Sequence, residues 1–336
     1  MKRECKLPIE TKPIVQCYHN MAFPLSVIQG NAKVLGKDAF PWFVDKYLNC
    51  KFEHTPSDNK FEMCTYDTWG TKEGVVSDQF LSLHLDLYTK LGVDILEGTK
   101  TVLSEGHYIF GMYNEKYIPG KDAYRRYNYS HDYLLYGYND NKRVIYSIGY
   151  LANKKYMPFE IPYENFVESI RRNPLQQSEL YFFQYNPLFE YKTDIAKIVK
   201  GLMDYIQSTN YLGVTPKYSY GITAVKKLRE YIQITASREN VPRIDDRYTR
   251  AHAEQKYLTM RCAEYLQKEK QLPINSSDIE MIENIYQKAN MIHMLAIKFN
   301  IVPDNTTLKG IDDAFQYILD RGIEPLSNIV DRLTYI

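Results

Sequence analysis

The spacing of apolar residues changes once along the chain, near residue 187, and this change limits the fold more than any other feature. Before it, several short segments alternate aromatic or β-branched residues with others, a pattern typical of strands. The turn-forming residues Asn139, Asp140 and Asn141 separate two of these segments and indicate a hairpin. We therefore predict antiparallel strands at 107–114, 131–139, 142–150 and 178–186.

Helical spacing replaces the alternation after residue 188. Between Ile195 and Ile206, apolar residues recur at offsets of 0, 3, 4, 7, 8 and 11, which places them on one face of a helix. Similar patterns cover 220–236, 245–269, 276–300 and 307–334, and two helices are predicted earlier, at 78–92 and 162–172. The sequence thus predicts an α+β domain over residues 1–187 and an all-helical domain over 188–336.

Charge and cysteine content exclude several classes of protein. Lys and Arg number 42 against 41 for Asp and Glu, so the net charge of +1 provides no broad basic face for nucleic acid. No apolar run approaches the ~18 residues that a membrane span needs, and we expect a cytoplasmic protein that makes no membrane contact. The five cysteines are odd in number and scattered along the chain, which argues against a disulfide framework. No two of them have C-x-x-C spacing, which argues against a structural zinc site.

The segment QCYHN at 16–20 contains a candidate nucleophile, Cys17, directly before an apolar stretch. A helix N-terminus and a nearby histidine both favour the thiolate form of a cysteine. The best-placed partner is His131, at the head of a predicted strand, with His19 and His107 as alternatives. A cysteine at a helix start followed by a histidine at a strand head is the order used by papain-like folds.

Pro24 complicates a helix that begins at Cys17. A proline seven residues into a helix removes a hydrogen bond and costs about 3 kcal/mol. We therefore expect the helix either to kink at Pro24 or to begin at Phe23 or Pro24, which would leave Cys17 in a loop.

Several segments together resemble one known family. These are CYHN near the N-terminus, EGHYIFGMYNEKYIPG, the stretch from His131 through the hairpin to Tyr150, and HAEQKYLTMRCAEYL with KANMIHMLAIKFNI in the helical half. Across nearly the whole chain they resemble the butirosin-biosynthesis protein H-like family, found beside nonribosomal-peptide and aminoglycoside pathways. The resemblance implies a papain-like, cysteine-protease-type N-terminal domain followed by the helical domain.

The resemblance also implies an activity, that of an acyltransferase of secondary-metabolite biosynthesis. The acyl donor would be the phosphopantetheine thioester of an acyl or peptidyl carrier protein, and the acceptor a small-molecule amine, with no cofactor bound by the chain itself. Carried onto this sequence, Cys17 would attack the thioester and His131 would act as its base.

The remaining site residues depart from the papain-like pattern. The predicted strand that follows the hairpin offers only Ser147 as the residue that orients the His131 imidazole. Asp132 is expected on the opposite face of its own strand, and Asp140, Asn153 and Glu160 are more distant candidates. A papain-like fold is expected to have a glutamine for the oxyanion several residues before the cysteine, whereas Gln16 is directly adjacent to Cys17. We assign Gln16, His19, Tyr129 and Tyr133 to substrate binding and no residue to a metal.

Two other functions remain open at this point. The same residues could serve a papain-like peptidase or thioesterase, with water or a peptide amide in place of the amine step. The lack of an acid facing His131 from the next predicted strand favours a non-catalytic module that binds a carrier protein. Homodimer formation is also left open.

Overall fold

The computed structural model describes residues 3–54, 59–64, 80–84, 94–175, 180–210, 213, 216–237 and 243–334, with the backbone alone at 80–84. These residues form mixed α/β structure with antiparallel sheets and a helical C-terminal region. The chain divides into two compact units, unit 1 (residues 1–39 and 67–190) and unit 2 (residues 40–66 and 191–336).

The described residues form ten strands and ten α-helices, together with a 3₁₀ turn at Glu115–Tyr117. The strands are β1 (Glu4–Lys6), β2 (Cys50–Glu53), β3 (Lys60–Met63), β4 (Phe80–His84), β5 (His107–Asn114), β6 (Ser130–Asn139), β7 (Val144–Tyr150), β8 (Tyr156–Pro162), β9 (Leu180–Tyr185) and β10 (Tyr218–Tyr220). The helices are α1 (His19–Val34), α2 (Phe40–Phe43), α3 (Ile95–Ser104), α4 (Tyr163–Arg171), α5 (Ile195–Gln207), α6 (Gly221–Ala236), α7 (Asp246–Lys268), α8 (Ser276–Ile301), α9 (Asn305–Arg321) and α10 (Glu324–Thr334).

Unit 1 is built on a seven-stranded sheet in the order β4-β9-β5-β6-β7-β8, with β1 added beside β6. All of its paired strands are antiparallel, and the four predicted strands are confirmed as β5, β6, β7 and β9. Aromatic side chains dominate the core of this unit, including Tyr113, Tyr133, Tyr138, Phe166 and Phe182. The sheet thus explains why aromatic residues alternate along these segments.

The helix predicted at 78–92 is wrong where the structure describes it. Residues 80–84 form strand β4, which pairs with β9. A short apolar run such as FLSLH fits either period, so long-range pairing decides between strand and helix. The other residues of the predicted helix lie outside the described part of the chain.

Helix α1 begins at His19, two residues after Cys17, and continues through Pro24. The expected start at Phe23 or Pro24 is therefore wrong. Most of α1 is buried, and each large apolar side chain buried there contributes about 1.5–3 kcal/mol, enough to offset the hydrogen bond lost at Pro24. Cys17 precedes the helix and its N-cap residue, Tyr18.

Unit 2 combines helices α2 and α5–α10 with a three-stranded sheet in the order β10-β2-β3. Residues 40–66 belong to this unit, whereas the sequence assigned residues 1–187 to a single domain. The pairing of β2 with β10, in which Phe52 lies opposite Ser219, accounts for the difference. The segment predicted at 307–334 contains two helices, α9 and α10, separated near Gly322.

No helix among the described residues has both the length and the apolar content that crossing a bilayer requires.

Candidate active site

His19 and His131 come together in unit 1 although they are far apart in the sequence. His19 is the first residue of α1, and His131 is the second residue of β6. Their ring centroids are 4.9 Å apart in an edge-on arrangement. The start of α1, which follows Cys17, therefore lies against the strand that carries the predicted base.

Both ring nitrogens of His19 are used in hydrogen bonds. Its Nδ1 lies 2.9 Å from Oδ1 of Asp132, and its Nε2 accepts a hydrogen bond from the backbone N–H of Tyr150 at 3.2 Å. Because Nε2 is an acceptor and a carboxylate faces Nδ1, we assign the neutral imidazole with its proton on Nδ1. With 6% of its side chain exposed and Phe23 stacked on its ring, His19 is a fixed structural partner of Asp132.

The alternation of a strand predicted that Asp132 points away from His131, but the two side chains lie close together. Its Oδ1 is 3.6 Å from Nδ1 of His131 as well as 2.9 Å from Nδ1 of His19. Alternation separates the Cβ directions of neighbouring residues, but it does not keep the ends of two longer side chains apart. Burial raises the pKa of the Asp132 carboxyl, yet the hydrogen bond from His19 and the two imidazoles outweigh burial and leave the pKa below its ordinary value.

Glu115 is a second carboxylate beside His131, and the sequence did not identify it. Its Oε1 lies 3.7 Å from Nδ1 of His131 and accepts a hydrogen bond from the hydroxyl of Tyr133. Burial raises the pKa of Glu115 above its ordinary value, although the Tyr133 bond and the charge of Lys121 oppose the rise. The register of β5 with β6, which pairs Asn114 with Ser130, brings Glu115 to this position.

Lys121 is a buried cation in the same region, also missed from the sequence. Its Nζ donates to the carbonyl of Tyr150 and lies 3.8 Å from the ring centroid of Tyr133 and 4.4 Å from that of Phe159. Burial lowers the pKa of Lys121 to about 7, against the opposing effect of Glu115 and Asp132. Nothing in the sequence around Lys121 distinguishes it from the exposed lysines of the chain, so only the fold could reveal its burial.

Tyr150 connects these groups to the segment before α1. Its backbone N–H donates to His19, its carbonyl accepts from Lys121, and its hydroxyl donates to the carbonyl of Gln16. The preceding residue, Gly149, has no room for a side chain, because a Cβ there would lie 2.9 Å from Cδ1 of Tyr133 and 3.5 Å from Nε2 of His19. The end of β7 is therefore a close-packed support for the two histidines.

Cys17 is almost fully buried, with 3% of its surface exposed, and its Sγ lies 4.0 Å from Sδ of Met21. Two residues span at most about 7 Å between Cα atoms, so Cys17 stays close to His19 and to the histidine pair. The predicted nucleophile and the predicted base thus lie in the same region of unit 1.

The residues assigned to substrate binding have different surroundings. Tyr129 is about half exposed and stacks on His131 with ring centroids 5.7 Å apart, so it borders the accessible side of the imidazole. Tyr133 is fully buried beneath Glu115 and Lys121. The side chain of Gln16 donates to the carbonyl of Pro13 at 3.1 Å.

The predicted orienting residue, Ser147, does not face His131. It pairs with Leu135, four residues further along β6, and its hydroxyl donates to the carbonyl of Leu134 at 3.1 Å. Four residues of a strand correspond to about 13 Å. The prediction failed because it assumed a strand register, and the structure brings Asp132 and Glu115 to His131 instead.

His19, His131 and Asp132 each offer a donor atom within 4.8 Å of the others, a spacing that would suit a metal ion. The hydrogen bonds of His19 argue against this use. Its Nε2 accepts from the backbone of Tyr150, so the proton of the neutral ring sits on Nδ1, the atom that a metal would have to take. We therefore interpret this group as a hydrogen-bonded cluster.

Comparisons with known proteins add no family to this geometry. No protein-family model matches the sequence, and no curated protein matches it significantly.

Proposed function

We propose that the chain is a cysteine-dependent acyltransferase that moves an acyl group from a carrier-protein thioester to an amine. In this proposal Cys17 is the nucleophile and His131 its base. The observation that carries it is the 4.9 Å contact between the rings of His131 and His19, because His19 is only two residues from Cys17.

The first half-reaction would transfer the acyl group to the protein. His131 takes the proton of the Cys17 thiol, and the thiolate attacks the carbonyl carbon of the thioester. The tetrahedral intermediate collapses with loss of the phosphopantetheine sulfur, which takes the proton back from His131. The acyl-cysteine is itself a thioester, so the acyl group remains activated.

The second half-reaction would form the amide. The nitrogen of the amine attacks the acyl-cysteine carbonyl, His131 accepts a proton from that nitrogen, and the Cys17 sulfur leaves and is reprotonated.

The hydrogen bonds of His19 support His131 as the base. A base needs a ring nitrogen that can take a proton, and Nε2 of His19 is occupied by the Tyr150 N–H. His131 has 34% of its side chain exposed, so substrate can reach its ring. Its two neighbouring carboxylates favour the imidazolium that forms when the thiol loses its proton.

The fold of unit 1 is compatible with the papain-like arrangement that the resemblance to the butirosin-biosynthesis protein H-like family implies. A helix that follows a cysteine packs near an antiparallel sheet, and a histidine stands at the head of one of its strands. Asp132 and Glu115 supply carboxylates at the place where Ser147 was expected to act.

The acyl-enzyme can be trapped directly. The protein is incubated with an acyl-pantetheine thioester and with an acylated carrier protein, and the intact mass is measured by mass spectrometry. We expect an adduct of one acyl group that is absent in Cys17→Ser and strongly reduced in His131→Gln. Cys5→Ser, at a half-buried cysteine of the same unit, serves as the matched control and should retain the adduct.

A papain-like peptidase or thioesterase would form the same adduct, so product analysis has to separate the two functions. Amide formed only when an amine is added supports the transferase, whereas equal release of free acid with and without amine supports hydrolysis. An adduct that persists in Cys17→Ser, or complete lack of adduct, contradicts covalent catalysis and favours a module that only binds the carrier protein.

A further inference from the structure

We propose that Glu115 is the positioning carboxylate of His131, fixed by Tyr133 and charge-balanced by the buried ammonium of Lys121. This inference rests on the proposed role of His131 as the base, and it replaces Ser147 in the orienting role.

Two hydrogen bonds, one at the backbone and one at the carboxylate, fix the position of Glu115. Its backbone N–H donates to the carbonyl of Tyr129 at 2.7 Å, and its carboxylate accepts from the hydroxyl of Tyr133. Tyr133 is itself fully buried, with Gly149 packed against its ring. A carboxylate held in this way keeps Oε1 at 3.7 Å from Nδ1 of His131 without any ordering cost at the moment of reaction.

Lys121 explains how two carboxylates can lie together in a largely buried region. An uncompensated buried carboxylate is costly, and its pKa rises until it takes up a proton. The Lys121 ammonium lies on the ring of Tyr133, whose hydroxyl binds Glu115, and it acts on both Glu115 and Asp132. Below its pKa of about 7, the positive charge of Lys121 favours the ionised form of Glu115 beside His131.

Asp132 is slightly nearer to His131, but its carboxylate is hydrogen-bonded to His19. The oxygen that lies 3.6 Å from Nδ1 of His131 is the same Oδ1 that accepts the His19 hydrogen bond at 2.9 Å. Asp132 therefore contributes charge to His131 while its geometry is set by His19. Oε1 of Glu115 also accepts a hydrogen bond, but from the hydroxyl of Tyr133, so its position beside His131 is set by a tyrosine and not by a second imidazole.

The charged and titratable groups around His131 and its two neighbouring carboxylates come from four places. They are Glu115 in the 3₁₀ turn, Asp132, Tyr129 and Tyr133 on β6, His19 on α1, and Lys121 with Asp122 in the segment after the turn. Any titration of His131 has to be interpreted against this set.

The test is a pH titration of His131 by NMR in protein labelled at its seven histidines, with the resonance assigned by its loss in His131→Gln. Glu115→Gln keeps the shape of the side chain and removes its charge, so the imidazolium loses stabilisation. We expect the titration midpoint of His131 to move to lower pH by about half a unit or more, and to be largely restored in Glu115→Asp. Glu160→Gln, at an exposed carboxylate of β8, is the matched control and should leave the midpoint in place.

A measurement on the unaltered protein guards against variants that do not fold. Because the pKa of Glu115 is raised and that of Asp132 is lowered, protonation of Glu115 should appear as a second inflection in the His131 resonance, above the ordinary range of a glutamate. An unchanged midpoint in folded Glu115→Gln, or no second inflection in the unaltered protein, overturns the inference.

The titration requires no acyl substrate, so the two proposals can fail separately. If His131 responds to Glu115 while no acyl-cysteine forms, the acyltransferase proposal fails and the electrostatic link stands. If the acyl-cysteine forms but His131 does not respond to Glu115, only the positioning role is lost.

Discussion

The side chains of His19 and Asp132 form a 2.9 Å hydrogen bond between residues 113 positions apart in the chain. This bond links the first turn of α1, which follows the proposed nucleophile Cys17, to the beginning of β6, which carries the proposed base His131. It is almost fully buried on the histidine side. Its loss should therefore affect both the stability of unit 1 and the proposed chemistry.

Asp132→Ala should destabilise the protein more than Asp132→Asn. Alanine leaves the buried Nδ1–H of His19 without its acceptor, which costs about 1–3 kcal/mol, whereas the asparagine oxygen can still accept that bond. Urea denaturation followed by circular dichroism measures the difference. Equal losses of stability in the two variants would show that the His19 bond contributes little.

The elements that bring these residues together were partly predictable. The strands β5, β6 and β7 follow from alternation and from the turn at 139–141, and the helices of unit 2 follow from their apolar spacing. Both signals are local. They indicate the type of an element without fixing its partner.

The contacts around His131 depend on pairing, which local patterns do not contain. Ser147 was expected to face His131, but the register between β6 and β7 pairs it with Leu135. The same lack of register information hid Glu115 and Lys121, and it led to a helix being predicted where β4 pairs with β9. Long-range strand pairing, more than propensity, therefore determines this site.

Lys121→Met should change how stability depends on pH. Burial lowers the pKa of Lys121 to about 7 from an ordinary value of 10.5, so between these limits the unfolded chain holds a proton that the folded protein releases. The free energy of unfolding contributed by this group therefore rises with pH across that window. The methionine variant lacks the rise, and its stability relative to the unaltered protein should fall as the pH increases from about 7 to about 9.

Urea denaturation at several pH values checks this expectation. Lys33→Met, at an exposed lysine of α1, is the matched control and should show the same pH dependence as the unaltered protein. If the Lys121→Met curve also runs parallel to that of the unaltered protein, the buried lysine does not titrate as proposed.

His252 in unit 2 should make the protein sensitive to acid. It is fully buried between the rings of Phe61 and Phe315, and neither ring nitrogen has a hydrogen-bond partner among the described residues. Burial, together with the nearby Lys256, lowers the pKa of His252 well below its ordinary value of 6.5. As the pH falls below this value, the unfolded chain gains a proton that the folded protein does not, and stability is lost.

His252→Phe should remove this part of the acid sensitivity. Relative to the unaltered protein, the variant should gain stability as the pH falls below the ordinary pKa of a histidine, 6.5. Thermal denaturation between neutral and mildly acidic pH provides the measurement. His107→Gln, at a partly exposed histidine of β5, is the control, and an equal gain in that variant would contradict the assignment to His252.

Gly30→Ala should destabilise unit 1 although alanine is the better helix former. A Cβ at residue 30 would lie 2.4 Å from Cα of Ile9, and the segment around Ile9 is held on α1 by the hydrogen bond from the N–H of Glu10 to the carbonyl of Ser26 at 2.8 Å. Because the obstacle is backbone, α1 itself has to move, at a cost of about 2 kcal/mol or more. An ordinary helical glycine would instead gain about 1 kcal/mol of stability on the same change, so the sign of the effect decides the outcome.

Displacement of α1 should also weaken the hydrogen bond from His19 to Asp132, which would be visible as faster exchange of the His19 Nδ1 proton in NMR spectra. Lys33→Ala, on the exposed face of α1, is the control and should change neither the stability nor the exchange rate appreciably.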